Sequence, residues 1–241
     1  MIIRVEPRKI TSASKFLEAG VFLFLKIIYR RIIMNSLQYF DSIAESWNVI
    51  RSEYFEERLK YKILSITNVK DKVVADLGCG TGFVSLALAN EAGIIFSVDS
   101  SRNMLKELST TISKKGYKNV YPIKSSLDNL ALFDESLNTV FINMALHHIK
   151  DAKKAIEEMY RVLKKDGVVV ISDVMEHEGE WAREEMFDEW LGFSNEQMTK
   201  WLEDAGFKNI KIENTDLSCK GYSTKGEYTE IGIFLASAVK L

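Results

Sequence analysis

Asp76-Leu77-Gly78-Cys79-Gly80-Thr81-Gly82 is the stretch on which the reading of this chain turns. The apolar run Val73-Val74-Ala75 leads into it, and a segment with helical character, Gly82 to Glu91, leads out. Strand, glycine turn and helix in that order place the turn at the end of a sheet strand. Its glycines let the main chain bend tightly and approach a ligand with no Cβ in the way. A helix starting there offers free N–H groups and the positive end of its dipole, suited to a carboxylate or phosphate. Twenty-three residues after Asp76, Asp99 ends the next apolar run, Ile94–Val98. An acid at that place accepts hydrogen bonds from both hydroxyls of a ribose. Glycine loop and acid together point to an adenosine-containing ligand.

Outward from this core the chain alternates between two periods. Strands are expected at Val73–Asp76, Ile94–Val98, Val120–Ile123, Thr139–Asn143, Val168–Ser172, Lys208–Glu213 and Glu230–Ala238. Helices are expected at Ser36–Trp47, Arg51–Ile66, Gly82–Glu91 and Asn103–Lys115, the last stopped by Gly116. Three more follow: Asp151 caps one running to Lys164, and the others cover Gly179–Leu191 and Ser194–Ala205. Strands separated by helices make a parallel sheet covered on both faces. The last two strands have no helix between them, so they close the sheet as a hairpin, with one antiparallel member at its end.

Composition excludes several classes. The 241 residues hold 32 Lys and Arg against 34 Asp and Glu, a net charge of −2 that gives no reason to expect nucleic acid. Two cysteines, Cys79 and Cys219, build neither a disulfide framework nor a cysteine-rich metal centre, so no metal is expected and a reducing cytoplasm is the natural compartment. Residues 1–33 read as a separate basic, apolar extension: Phe16–Tyr29 is apolar with Lys26 near its end, and Arg30-Arg31 closes it. It is shorter than the roughly 20 apolar residues a membrane span needs. Residues 15–34 suit a membrane surface or self-association, unless Met34 is the true start. Residues 34–241 are expected to form one domain.

Asp76-Leu-Gly-Cys-Gly-Thr-Gly82 resembles motif I of the class I S-adenosylmethionine-dependent methyltransferases. Val98-Asp99 with Ser101 and Met104, Asn143-Met-Ala-Leu-His147-His148-Ile149 and Arg161–Gly167 resemble their later landmarks. Within the class, Tyr39-Phe40-Asp41, Ala44 and Trp47 resemble the N-terminal lid helix of the ubiquinone-biosynthesis-type, small-molecule group. Asp173–His177, Glu180-Trp181 and Trp190–Phe193 resemble methyltransferases associated with ArsR-type regulators. Arsenite enzymes hold the metalloid through several thiolates, which two cysteines do not supply. The resemblance implies a Rossmann-like, seven-stranded, mostly parallel sheet with one antiparallel strand and helices on both faces. It implies S-adenosylmethionine as cofactor, held by Asp76, Gly78, Cys79, Gly80, Gly82, Asp99, Ser100, Met104, Ser126, Leu127 and Asn143. Ser126 stands where many relatives place an acid against adenine, and a serine hydroxyl makes a weaker acceptor there.

The reaction implied is methyl transfer to a small molecule by in-line displacement. His147, His177 and Asp173 are the catalytic candidates, since a hydroxyl or amine acceptor profits from a nearby base. Phe40, Trp47, His148, Trp181 and Trp190 are candidate substrate contacts. As neighbours, His147 and His148 are expected to point in different directions, with one facing the pocket. Trp181, Phe187, Trp190 and Phe193 fall at helical spacing, which suits a core stripe as well as a pocket wall. Two other readings stay open. A non-catalytic sensor of the same cofactor would carry the same loop. A nicotinamide oxidoreductase is disfavoured, because the loop reads G-x-G-x-G and not G-x-G-x-x-G, and Tyr160-x-x-x-Lys164 lies at the end of a helix.

Overall fold

Apolar residues alternate between two cores along the inner strands. In β4 (Leu137–Asn143), Val140 and Ile142 join one core and Phe141 the other. In β5 (Leu163–Val174), Val169 and Ile171 face the first and Val170 the second; in β7 (Tyr228–Val239), Phe234 and Ala236 face the first and Ile233 and Leu235 the second. A strand buried on both faces needs a near-continuous apolar run, which these strands have. The computed structural model describes residues 34–241. The expectations for residues 1–33 lie outside the described residues.

The remaining strands are β1 (Val73–Leu77), β2 (Ile94–Asp99), β3 (Val120–Lys124) and β6 (Lys208–Tyr222). All seven make one sheet in the order β3-β2-β1-β4-β5-β7-β6. Pairing is parallel from β3 through β5, and β7 runs antiparallel to both β5 and β6. The antiparallel strand is therefore inserted between β5 and β6, not placed at the edge as expected. The β6–β7 hairpin is also longer than expected, because a register shift between Asn214 and Ser218 lets β6 continue. Thr215 donates its hydroxyl to the Ile233 carbonyl at 2.7 Å beside that shift.

Eight α-helices are seen among the described residues: α1 (Ser36–Ile43), α2 (Trp47–Tyr54), α3 (Arg58–Leu64), α4 (Ser85–Leu88), α5 (Arg102–Lys115), α6 (Ala152–Val162), α7 (Trp181–Glu185) and α8 (Asn195–Asp204). Helices α6 and α8 cover one face through Ala155, Ile156, Met159, Met198 and Leu202, while α3 and α4 cover the other through Leu59, Ile63 and Leu88. Side chains cap three of them: Ser101, Asp151 and Ser194 accept from Met104, Lys154 and Gln197 N–H. Three expected helices are shorter or broken. The Arg51–Ile66 helix breaks where Phe55 turns extended (φ −147°, ψ 155°). The helix after the glycine loop is one turn long. The Gly179–Leu191 helix stops after Glu185, and Phe187 takes a left-handed φ of 61°. Among the described residues, no helix is long and apolar enough to cross a membrane.

The strand order reverses between β1 and β4. Open α/β sheets bind ligands outside the carboxyl ends of their strands at such a switch point. The glycine loop leaves β1 there, and the His147 segment leaves β4 beside it.

Candidate functional site

One half of the site is made by the main chain. Gly78 and Gly80 both take positive φ, 65° and 51°. A Cβ on Gly78 would stand 2.5 Å from Ala145 Cβ, and one on Gly80 would stand 3.3 Å from Trp47 Nε1. Glycine is thus required at Gly78 by space as well as by backbone conformation. Asp99, half-buried at the end of β2, accepts from Gly80 N–H at 2.8 Å and from Ser101 N–H at 2.8 Å. Burial pushes its pKa up against those two bonds.

Asp76 lies beneath the loop as its anchor. Its carboxylate accepts from Ser85 N–H at 2.8 Å and from the Ser85 hydroxyl at 2.6 Å, and that hydroxyl sits 2.7 Å from Ser97 Oγ. Burial pushes Asp76 up to about 7. The one-turn helix α4 gives its first N–H to Asp76, so that group is not free for an anion as expected. Cys79 is buried, its N–H on the Val98 carbonyl at 3.0 Å, and burial holds its thiol well above the ordinary value. Gly82 turns against Leu108 and Met104 is in the core, so these two shape the floor from below. Ser100 is half-buried next to Asp99.

Further along the crevice, Leu127 is buried beside Gly78 and Ser126 is exposed, with its hydroxyl on the Asp128 carboxylate. An acid therefore does stand at this edge, at Asp128, two residues past the expected position. Asn143, ending β4, has a buried Oδ1 with no hydrogen-bond partner. Helices α1 and α2 lie over this half. Asp41 accepts from the Ser101 hydroxyl at 2.5 Å and from Asn103 N–H at 3.1 Å, and Thr81 donates to Asn48 at 2.7 Å.

The other half is a cleft of side chains, among them Trp47, Tyr54, Met144, His147, His148, His177, Trp181, Met186, Asp188 and Cys219. Both histidines line it, their rings 4.0 Å apart. The expectation that they diverge fails: Asp173 holds the His147 ring from behind and Asp188 faces both imidazoles, so both rings turn toward the cleft. Asp173, fully buried, accepts from His147 Nδ1 at 2.5 Å, Leu146 N–H at 2.9 Å and Val174 N–H at 2.8 Å. That places it behind His147 as a positioning residue, out of reach of a substrate. Asp188 comes from the opposite wall, its Oδ1 3.2 Å from His148 Nδ1 and 3.9 Å from His147 Nε2.

Burial alone would lower the His147 imidazole, but the charges of Asp173 and Asp188 outweigh it and lift it to about 9. Burial and the neighbouring His147 charge hold His148 below its usual value. For Asp188 burial works upward, and the charges of His147 and His148 overcome it to hold the carboxyl below the usual range. His177 is lowered by burial, and its Nδ1 accepts from Gly179 N–H at 3.1 Å, so its neutral ring presents Nε2–H to the cleft.

The expected aromatic contacts separate. Trp181 lines the cleft and donates Nε1–H to Thr229 at 2.7 Å. Trp190 does not line it; its ring packs on Trp201 and Phe193 and its Nε1–H goes to the Ile149 carbonyl at 2.9 Å. The reversal at Phe187 sends the two tryptophans different ways. Phe40 backs the cleft, stacked edge-on against His148 at 4.8 Å and Trp47 at 5.3 Å. Asp188, Tyr54 and Met186 escaped the sequence reading. Asp188 had one visible signal, an acid set inside an aromatic run.

With this geometry in place, the comparisons add four findings. A methyltransferase domain family model matches residues 68–227. The chain is 32% identical over 124 residues to the ubiquinone/menaquinone biosynthesis C-methyltransferase UbiE of Campylobacter jejuni, covering 48% of this chain and 51% of the relative. It is 32% identical over 100 residues to the uncharacterized methyltransferase YcgJ of Bacillus subtilis, covering 42% and 40%. The matched stretches thus span about half the length of these curated relatives or less. In fold it is similar to a phosphoethanolamine N-methyltransferase of Haemonchus contortus, solved with phosphomonomethylethanolamine and S-adenosylhomocysteine. That match has a TM-score of 0.70 and 18% identity, and covers 86% of this chain and 60% of that one.

Proposed function

From the premise that this chain belongs to the methyltransferase domain family, we propose that residues 34–241 transfer a methyl group from S-adenosylmethionine to a small-molecule acceptor. The observation that carries the reading is the position of Trp47. Its indole stands against Gly80 in the glycine loop and also lines the side-chain cleft, so one residue joins a nucleoside crevice to an acceptor cavity.

The residues fit the cofactor. Asp99 is a half-buried carboxylate suited to the ribose hydroxyls. The unpartnered Asn143 Oδ1 suits the donor amino group of the methionyl part, and a buried acceptor of that kind calls for a donor. Leu127 with Ser126 and Asp128 meets the adenine. The bound cofactor supplies an electrophilic methyl on a sulfonium, whose bond to sulfur is broken as the acceptor attacks. The protein's part is to align the acceptor and keep water out.

The cleft residues do the rest. Trp181, Tyr54, Phe55 and Met186 give largely apolar walls, as small-molecule sites have. His177 presents an N–H donor, and the His147, His148 and Asp188 group receives the acceptor's polar atom. Composition supports a peripheral role for residues 15–34, at a membrane surface or in self-association, and two unpaired thiols suit a reducing cytoplasm.

Calorimetry with S-adenosylmethionine, S-adenosylhomocysteine and NAD(P) tests the cofactor. Binding of the first two is expected, and preference for NAD(P) defeats the reading. Methyl transfer is then assayed across phenols, quinol precursors, thiols and amines. Cofactor binding with no product from any class would make the protein a sensor.

A further inference from the structure

We propose that His147, His148 and Asp188 form a site for one first-row divalent cation, zinc foremost, in the wall of the acceptor cleft. One ligand atom from each lies within 4.8 Å of the others. The Asp188 Oδ1 separations of 3.2 Å and 3.9 Å from the two imidazole nitrogens bracket the spacing of about 3.4 Å between donors of a tetrahedral ion with bonds near 2.1 Å. The set needs no thiolate. Two imidazoles and a carboxylate are borderline donors that suit zinc and its neighbours, and reject magnesium and calcium, which prefer oxygen.

Three further observations converge on the same point. His148 Nδ1 and Asp188 Oδ1 are buried and face each other at 3.2 Å, too poorly aligned for a good hydrogen bond, and neither has a hydrogen-bond partner elsewhere. An ion between them would engage both at once. Asp173 also stands where metal-binding histidines have their supporting carboxylate. It grips His147 Nδ1, is itself fixed by backbone N–H groups, and turns Nε2 toward Asp188. Finally, the chain bends into this corner through left-handed backbone at Met144 (51°) and Phe187 (61°). Strain of that kind persists where surrounding structure enforces a geometry.

Three protein ligands leave the fourth position of a tetrahedral ion to the cleft. Resting on the methyl-transfer reading, this position takes the acceptor's oxygen, nitrogen or sulfur. On coordination that atom gives its proton to solvent; it then bonds the methyl carbon while the C–S electron pair stays on sulfur.

The test uses the full chain, stripped with a chelator and titrated with Co2+, followed by its visible d–d absorption and by metal analysis. One ion per chain with a four-coordinate spectrum is expected. Asp188→Asn and His148→Gln should each weaken binding at least about 100-fold, and Asp173→Asn by about 10- to 100-fold. Cys219→Ser should leave the spectrum unaltered, and a change there would overturn the thiolate-free set. X-ray absorption of the zinc-loaded wild type, with only nitrogen and oxygen neighbours expected, decides the matter even if a variant fails to fold. No stoichiometric uptake, or undiminished binding by a folded Asp188→Asn chain, overturns the site. S-adenosylmethionine affinity measured on the same samples keeps the two readings apart: a chain that binds Co2+ but not cofactor keeps the metal site and loses the methyltransferase reading.

Discussion

The crevice under the glycine loop and the cleft beside it lie at one end of one sheet, yet they are built differently. The first is made from neighbours in sequence: Gly78 and Gly80, with Asp76 anchoring the turn from below through Ser85. Its features are a tight backbone turn and one carboxylate, Asp99, which holds the Gly80 N–H. The second gathers side chains from four distant segments: Trp47, His147 with His148, Asp188 and Cys219. On the proposed reading, a ligand part shared by many enzymes is met by geometry that few residues can alter, and a particular acceptor by side chains that are individually replaceable. If this contrast is right, substitutions in the crevice should destroy binding or folding, and those in the cleft should retune turnover.

The largest effect is expected from Gly78→Val. The new side chain would take a left-handed φ and start 2.5 Å from Ala145 Cβ. Strain and overpacking together should cost about 4 to 5 kcal/mol. Thermal melting should fall sharply and calorimetry should detect no cofactor binding. A stable Gly78→Val chain with intact affinity would break the contrast at its base.

Next comes the pH dependence of the anchor. Asp76 rises from 3.8 to about 7 in the folded chain because burial disfavours its charge. The folded state therefore binds the proton more tightly than the unfolded one. Stability from this group is full below pH 3.8, declines as pH rises toward 7, and is flat above that, a swing on the order of 3 kcal/mol after allowance for its coupling to Asp99. Urea unfolding across that range should show the decline, and Asp76→Asn should flatten it. An unchanged slope in the variant would assign the titration to another group.

Asp99→Ala should act on affinity more than on folding. It removes the acceptor of the Gly80 and Ser101 N–H groups as well as the proposed ribose contact. A charge-assisted pair of hydrogen bonds is worth about 2 kcal/mol here, so cofactor affinity should drop roughly thirtyfold. Equal affinity for wild type and variant would move the nucleoside elsewhere.

This contrast also explains what could be read from the sequence. Seven strands, the caps at Asp151 and Ser194 and the stop at Gly116 are local signals, carried by a few consecutive residues, and they place the crevice. The cleft depends on reversals that leave no such signal. Phe187, a bulky residue in left-handed backbone, ends α7 early and turns Asp188 inward. Helical spacing had placed Trp181 and Trp190 on one stripe, a pattern that holds only while the helix continues. The insertion of β7 between β5 and β6 is likewise decided by packing of Ile233 to Ala236 on both faces, not by any residue within the loop before it.

The smallest effect sharpens the comparison most. Trp181 and Trp190 are nine residues apart, yet one is a cleft wall and the other a core residue. Trp190→Phe would leave the Ile149 carbonyl without its donor and thin the contact with Trp201, a stability loss of about 1 kcal/mol. KM and kcat for an accepted substrate should stay unchanged, since no atom of Trp190 borders the cleft. Trp181→Phe removes the bond to Thr229 and part of the wall, so it should raise the acceptor KM several-fold with cofactor affinity unaltered. If Trp190→Phe instead shifts KM while Trp181→Phe does not, the acceptor lies on the far side of the Phe187 turn. The reversal that separates the two tryptophans would then be misassigned, and Asp188 would lose its place opposite the imidazoles.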